Sequence, residues 1–243
     1  MNICVCSNYD TMSKKAAHLV TEALNRNPES LISFPGGDTP VGMFKEFVAA
    51  VEENRADISR AKYVSLDEWV GLSQNDEGSC GYFNREHLFK PLKNAEKAFA
   101  QVHLINGASE NMEAERQKLD DFIDTYGPLS VSVLGIGLNG HLGFNEEFCS
   151  FESKAHITEL SQTTKQVMSK YFGTRFSPEY GITQGIGQIM EADLVILMAN
   201  GEHKADILYR SLKGPVQEQI PASVLQKHPN CYVVTDSAAG ERL

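Results

Sequence analysis

The sequence predicts an α/β protein with a doubly wound, mainly parallel sheet and helices on both faces. Short apolar runs rich in β-branched residues alternate with longer segments of helical periodicity, which is the pattern of strand–helix–strand units. Several of the apolar runs end directly in polar, glycine-containing turns. No internal repeat and no linker-like change of composition divides the 243 residues, so we expect one domain over residues 1–243.

The predicted strands are short and apolar, as expected for strands buried between two layers of helices. They lie at 2–7, Leu31–Phe34, 62–66, 131–136, 194–198 and Cys231–Thr235. The run at 131–136 leads into the loop that carries the most polar and titratable residues. We therefore expect this loop to lie at the ligand-binding edge of the sheet.

The predicted helices connect these strands. At 12–27 apolar residues recur at helical spacing, and Asp10 or Thr11 is available as the N-cap. Pro40 fits the first turn of a second helix, since a proline has no amide hydrogen and that position needs none. Further helices are predicted at 82–89, Met112–Tyr126, 161–172, 181–190 and 221–228.

Composition excludes several classes of protein. The net charge of −10 without a run of Lys and Arg argues against a nucleic-acid partner, although local cations and amides can still bind a small anion. No signal peptide and no apolar run of about 20 residues is present, so we expect a cytoplasmic protein without a membrane span. The cysteines show neither disulfide-framework nor metal-ligand spacing: Cys4, Cys6, Cys80, Cys149 and Cys231.

The turn at 35–40, PGGDTP, follows a predicted strand and precedes a predicted helix. The free amides of such a turn and the helix dipole favour a bound anion. Gly36, Gly37 and Thr39 are the candidate phosphate ligands, and Asp38 must point away because a carboxylate repels phosphate. Many strand–helix turns contain two glycines and bind nothing, so this turn alone leaves both interpretations open.

Asp67 and Glu68 follow the strand at 62–66, at the edge of the sheet where open α/β proteins bind ligands. The alternative for this pair is an N-cap followed by an acid in the first turn of a helix. Lys204 follows the strand at 194–198 in the same way, although a lone lysine is more often solvated.

His141 and Glu146 lie on the loop after 131–136, together with Asn139. A histidine and a glutamate this close on one loop can form a proton-transfer pair, and the alternative is a turn with an incidental histidine. Because several strand ends carry such groups, the sequence indicates a small phosphorylated substrate that undergoes proton transfer. It contains neither a zinc-ligand set nor a P-loop, so we expect no metal and no nucleotide.

Four motifs in order resemble those of the glucosamine-6-phosphate deaminases and the related galactosamine-6-phosphate isomerases. They are PGGDTP at 35–40, SLDEW at 65–69, LGIGLNGHLGFNE at 134–146 and GEHKA at 201–205. A weaker fifth match is YGITQGIGQIMEA at 180–192, and the resemblance covers the whole chain. It implies a Rossmann-like fold and conversion of a hexosamine 6-phosphate to a ketose 6-phosphate plus ammonia, without a cofactor.

The resemblance also implies roles for individual residues. Asp67 would move a proton between C2 and C1 of the open-chain sugar. His141 would assist ring opening, Glu146 would orient its imidazole, and Asn139, where many members have Asp, would position His141 or the sugar. The resemblance implies a set of substrate- and phosphate-binding residues: Gly36, Gly37, Thr39, Glu68, Ser150, Lys170 and Lys204.

Three rival interpretations remain at this stage. A 6-phosphogluconolactonase shares the expected fold, but its usual motifs differ from LGFNE at 142–146 and from DEW at 67–69. A non-catalytic sugar-phosphate sensor has no need of the Asp67, His141 and Glu146 set. A related deaminase with another amino-sugar phosphate as substrate is the third. The residues of these motifs are more similar to those of the galactosamine-6-phosphate isomerases, but they do not determine which epimer is the substrate. A homo-oligomer is compatible with all of these interpretations.

Overall fold

Ten strands in two sheets form the framework of the part of the chain that the structure describes. The computed structural model describes residues 1–92, 98–172 and 176–243, and it describes only the backbone of residues 168–172. In chain order the strands are β1 (Asn2–Val5), β2 (Leu31–Phe34), β3 (Lys62–Ser65), β4 (Asp67–Trp69), β5 (Gln101–His103), β6 (Val131–Leu134), β7 (His156–Glu159), β8 (Tyr180–Thr183), β9 (Val195–Ala199) and β10 (Cys231–Thr235).

The helices lie between these strands along the chain. They are α1 (Tyr9–Arg26), α2 (Val41–Glu52), α3 (Cys80–Asn84), α4 (Met112–Tyr126), α5 (Gln162–Phe172), α6 (Ile186–Met190) and α7 (Ala205–Lys213). A π-helical turn, Arg85–Phe89, continues α3, and Glu202–Lys204 and Pro221–Lys227 form 3-10 turns. The predicted N-cap of the first helix was wrong. Asn8 caps α1, because its side chain accepts a hydrogen bond from the Thr11 amide at 2.9 Å.

Seven strands form one parallel sheet in the order β1-β10-β9-β6-β2-β3-β5. One face packs against α1 and α2 through a core that includes Phe34, Phe47 and Tyr63. The other face packs against α4, α6 and α7 through a core that includes Leu119 and Leu208. The predicted single-domain, doubly wound, mainly parallel α/β fold is therefore confirmed.

The strand order changes direction between β2 and β6. From β2 the chain moves outwards to β3 and β5, and from β6 it moves the other way to β9 and β10. The turn after β2 and the loop after β6 therefore diverge and leave a crevice at the carboxyl ends of two neighbouring strands. Open α/β sheets bind their ligands in such a crevice.

A small antiparallel sheet, β4-β8-β7, lies beside the end of β3 and was not predicted. The strand predicted at 62–66 corresponds to β3. After Leu66 the chain enters this second sheet as β4. The helix predicted at 181–190 was wrong for its first half. Ile182, which is fully buried, pairs with Glu68 on one side and with Ile157 on the other, so this short apolar run is a strand and only α6 is helical.

Candidate active site

A cavity of about 430 Å³ occupies the crevice at the carboxyl ends of β2 and β6. Its walls come from the turn at 35–40, the start of β4, the segment at 78–83, the loop after β6, the first turns of α5 and the turn after β9. Six of the residues predicted for the site line this cavity: Gly36, Gly37, Thr39, Asp67, His141 and Lys204. Loops that are far apart in sequence meet here because their strands are neighbours in the sheets.

The glycine-rich turn forms one end of the cavity. Gly37 has a φ of 91°, a conformation that favours glycine, and the Thr39 hydroxyl donates to Asn200 Oδ1 at 2.9 Å. The first amides of α2 are already paired, since the Val41 amide donates to the Asp38 carbonyl and the Gly42 amide donates to the Tyr9 hydroxyl. The expectation of unpaired helix amides was therefore wrong for these two positions, and an anion would depend on the turn itself and on nearby cations.

Lys204 supplies a cation beside this turn. It ends a 3-10 turn that follows Gly201, and its ammonium group donates to the carbonyl of Ile136 at 2.6 Å. This hydrogen bond ties the turn after β9 to the loop after β6. Asn200 and His203 also line the cavity, although the sequence analysis did not select them.

Asp67 stands at the start of β4 and is only 8% exposed. Burial raises the pKa of its carboxyl to about 6, and the thiol of Cys80 and the charge of His141 oppose that rise. A carboxyl with this pKa is mostly ionised at neutral pH, yet it remains a stronger base than an exposed aspartate. These properties suit a general base.

Glu68 faces away from the cavity. Its Oε1 accepts from the amides of Trp69 at 2.8 Å and Cys80 at 3.0 Å, and its Oε2 accepts from the amide of Gly81 at 2.8 Å. Burial raises the pKa of Glu68, and these three amides oppose the rise. The side chain fixes the start of α3 to β4, so its position does not support the predicted contact with substrate.

His141 and Glu146 lie side by side, with 3.5 Å between His141 Nδ1 and Glu146 Oε2. Asn139 Nδ2 donates to the same oxygen at 2.7 Å. The other oxygen, Oε1, accepts from the Thr164 hydroxyl at 2.5 Å and from the Ser161 amide at 3.2 Å. The predicted histidine–glutamate pair is thus present as one network, with Asn139 as a member.

The carboxylate of Glu146 is held in its charged form. Burial alone would raise its pKa, but hydrogen bonds and charge from His141, together with hydrogen bonds from Thr164 and Asn139, lower that pKa to about 2. An ionised carboxylate at Nδ1 stabilises an imidazolium and fixes the ring, while Nε2 is left for chemistry. Glu146 can therefore orient His141 and does not itself exchange protons near neutral pH.

One predicted phosphate ligand, Ser150, is not found at the cavity. Ser150 is exposed and lines a second cavity of about 320 Å³ on the far side of Glu146, where its hydroxyl accepts from the Glu152 amide at 3.2 Å. The side chain of Lys170 falls outside the described residues, so its role stays a prediction. Sequence reasoning missed Thr164 and Cys80, which reach the site from α5 and α3 only through the tertiary fold.

Comparison with known proteins places the fold and the site in a family. The family model described as glucosamine-6-phosphate isomerases/6-phosphogluconolactonase matches residues 7–233. The chain belongs to this family. The residues matched include every wall of the cavity, so the site described above lies within the shared domain.

Two curated members of the family match over the full length of this chain. A glucosamine-6-phosphate deaminase of Clostridioides difficile (strain 630) is 35% identical over 244 residues, and the match covers 97% of that protein. A glucosamine-6-phosphate deaminase of Clostridium botulinum (strain Hall) is 36% identical over 244 residues, and the match covers 99% of it.

Solved structures confirm the fold. A monomeric glucosamine-6-phosphate deaminase superposes with a TM-score of 0.92 at 27% identity, and the match covers all of both chains. A 6-phosphogluconolactonase from Leishmania guyanensis gives a TM-score of 0.75 at 18% identity, covering 99% of this chain and 97% of that one, which shows the shared fold alone. Among the described residues, no helix has the length and apolar character needed to cross a bilayer.

Proposed function

We propose that this protein is an amino-sugar-6-phosphate deaminase that converts a hexosamine 6-phosphate and water into a ketose 6-phosphate and ammonia. The observation that carries the proposal is the pair of acid–base groups on one cavity. Asp67 has a pKa suited to a base, and His141 is held by an ionised carboxylate. Membership of the family and 35–36% identity to named deaminases support the same reaction.

The substrate phosphate would bind at the end of the cavity formed by the turn at 35–40. The turn amides are suited to phosphate oxygens, the Thr39 hydroxyl would turn from Asn200 to donate to the phosphate, and Lys204 adds positive charge. Anchoring the phosphate orients the sugar along the cavity towards Asp67 and His141. A sugar that lacks the phosphate would lose this orientation.

His141 would serve the opening of the sugar ring. Opening moves a proton from the C1 hydroxyl to the ring oxygen, and an imidazole nitrogen can accept a proton from the one and donate a proton to the other. Glu146 stabilises the imidazolium that forms between the two transfers. Asn139 and Thr164 keep that carboxylate in place.

Asp67 would then move a proton from C2 to C1 of the open-chain sugar. Removal of the C2 proton, as a proton passes from the ammonium group on C2 to the C1 oxygen, gives an enolamine, and return of the C2 proton to C1 gives an alcohol at C1 and an imine at C2. Water adds to that imine carbon and ammonia leaves, so the net reaction hydrolyses a C–N bond. C1 is reduced as C2 is oxidised, so the electrons balance within the sugar and no external oxidant or reductant is needed.

The test is release of ammonia by purified protein supplied separately with glucosamine 6-phosphate and galactosamine 6-phosphate. We expect release from at least one of them, and the ratio of the two kcat/KM values identifies the epimer. Hydrolysis of 6-phosphogluconolactone is the comparison, because lactonases belong to the same family. Lactone hydrolysis without ammonia release from either amino sugar would contradict the proposal.

A further inference from the structure

Thr164 contacts both members of the His141–Glu146 pair from the first turn of α5, and it is only 5% exposed. Its hydroxyl oxygen lies 2.5 Å from Glu146 Oε1 and 3.2 Å from His141 Nδ1. The distance from His141 Nδ1 to Glu146 Oε2 is longer, at 3.5 Å. The Thr164 hydroxyl is therefore a closer hydrogen-bond partner of the imidazole than Oε2 of the carboxylate is.

The single hydroxyl hydrogen of Thr164 points to Glu146. This carboxylate is ionised, so it accepts hydrogen bonds and donates none. If the hydrogen pointed to His141 instead, two oxygens 2.5 Å apart would face each other with no hydrogen between them, which is unfavourable. Thr164 therefore offers His141 a lone pair, and the 3.2 Å contact requires a hydrogen on Nδ1.

Ser161, the residue before α5, fits the same order of donors and acceptors. Its hydroxyl oxygen accepts from the Thr164 amide and from Asn139 Nδ2, each at 3.2 Å. Its own hydrogen is then left for the second lone pair of the Thr164 hydroxyl, 3.1 Å away. Each hydroxyl hydrogen has one acceptor in this arrangement, and Nδ1 of His141 carries a hydrogen.

The imidazole ring also packs closely against the backbone. A Cβ placed on Gly137 would lie 2.3 Å from His141 Cε1 and 2.5 Å from each ring nitrogen, so the ring occupies the space that a side chain at position 137 would need. The hydrogen bond at Nδ1 adds a directional contact to this packing. Because His141 lines the cavity, Nε2 is the nitrogen left to accept a proton there.

We propose that Thr164 is a positioning residue that accepts the Nδ1 hydrogen of His141 while it donates its own hydrogen to Glu146. It thereby fixes the neutral ring as the tautomer with hydrogen on Nδ1 and connects the ring to the carboxylate. This inference rests on the proposed function for the use of His141 in ring opening. Glu146 supplies the charge that stabilises the imidazolium, and Thr164 supplies the contact that holds the ring before it is charged.

The first experiment measures kcat/KM for amino-sugar deamination in variants of Thr164. Thr164→Val keeps the shape of the side chain without the hydroxyl, and Thr164→Ser keeps the hydroxyl without the methyl group. Thr125→Val, at an exposed position on α4, is the matched control. We expect Thr164→Val to lose about tenfold in kcat/KM, the size of a hydrogen bond to a charged group, while Thr164→Ser and the control stay near wild type.

Binding of a linear ligand separates this role from a packing role. The alcohol made by reducing the aldehyde of each amino-sugar phosphate cannot close to a ring. Its affinity, measured by isothermal titration calorimetry, should be unchanged in Thr164→Val, because the phosphate turn is intact. Equal losses of kcat/KM in Thr164→Val and Thr164→Ser, wild-type kinetics in Thr164→Val, or a weaker affinity that accounts for its whole loss would overturn the inference.

NMR of protein with nitrogen-15-labelled histidine tests the tautomer and needs no variant of Thr164. The signals of His141 are assigned by their loss in His141→Gln. At a pH where the ring is neutral, we expect hydrogen on Nδ1 in wild type, and the Nδ1–H signal should move in Thr164→Val and stay near its wild-type position in Thr164→Ser. Hydrogen on Nε2 in wild type, or an unmoved signal in Thr164→Val, would overturn the inference whether or not ammonia is released.

The two readouts distinguish failure of this inference from failure of the proposed function. An Nδ1–H signal that depends on the Thr164 hydroxyl, without ammonia release from wild type, would support the contact and contradict the proposed function. Ammonia release from wild type with hydrogen on Nε2 would keep the proposed function and remove Thr164 as the partner of His141.

Discussion

Asp67 and Glu146 are two carboxylates of the same site with nearly equal burial, at 8% and 6% exposure, but with opposite pKa shifts. Burial raises the pKa of Asp67 to about 6, because one thiol and a distant imidazole offset only part of the cost of burying its charge. Burial acts in the same direction on Glu146, but hydrogen bonding and charge from His141, together with hydrogen bonds from Thr164 and Asn139, lower its pKa to about 2. The partners of each carboxylate, rather than its burial, therefore distinguish the proposed base from the proposed orienting group.

The first prediction concerns replacement of the proposed base, Asp67. Asp67→Asn is expected to lower kcat by about 10³-fold, within the range of general acid–base contributions, because an amide cannot accept the C2 proton. Binding of a sugar phosphate, measured by isothermal titration calorimetry, should change little, since the phosphate turn is intact. The matched control is Asp10→Asn, an exposed aspartate on α1. Wild-type turnover in Asp67→Asn would remove Asp67 from the mechanism.

The second prediction weakens the orienting carboxylate. Glu146→Gln is expected to lower kcat/KM for the cyclic sugar by about 10²-fold. The imidazolium would lose its counter-charge, and the amide NH2 of the glutamine would face a hydrogen-bond donor where the carboxylate now accepts. An open-chain analogue that needs no ring opening should be affected less. Glu147→Gln removes a charge from the adjacent, exposed position and should behave as wild type. Equal losses on both substrates would contradict a role in ring opening.

The sequence predicted the parts of this site that follow a strand end directly. Asp67 and His141 lie at the carboxyl ends of strands that are recognisable from apolar runs alone, and the fold then brings those ends together. The structure does not bring Glu68 to the cavity with Asp67, because the alternation of a strand turns the two side chains apart, so contact of Glu68 with substrate stays a prediction. Thr164 could not be found, because it reaches Glu146 from a helix 18 residues away in sequence.

The third prediction concerns stability and uses the sign of the Asp67 shift. Its folded-state pKa of about 6 lies above the ordinary value of 3.8, so ionising this carboxyl costs stability, and the cost grows as pH rises from about 4 to 6. Asp67→Asn removes that cost and should raise the free energy of unfolding by about 3 kcal/mol above pH 6. Urea unfolding at several pH values measures this gain, which should shrink towards pH 4. A loss of stability at neutral pH would show that ionised Asp67 is stabilised in the fold.

The fourth prediction asks whether Asn139 acts through Glu146. Its amide donates at 2.7 Å to the oxygen that also faces His141, while Thr164 and Ser161 hold the other oxygen. Because the hydrogen bonds from Thr164 and Ser161 to the carboxylate remain, Asn139→Ala should lower kcat/KM only about tenfold, the size expected for one hydrogen bond to a charged group. In a Glu146→Gln background the same substitution should have little further effect, since the carboxylate it orients is gone. Full additivity of the two losses would mean that Asn139 acts on the sugar or on His141 directly, through the 3.3 Å bond between its Oδ1 and the His141 amide.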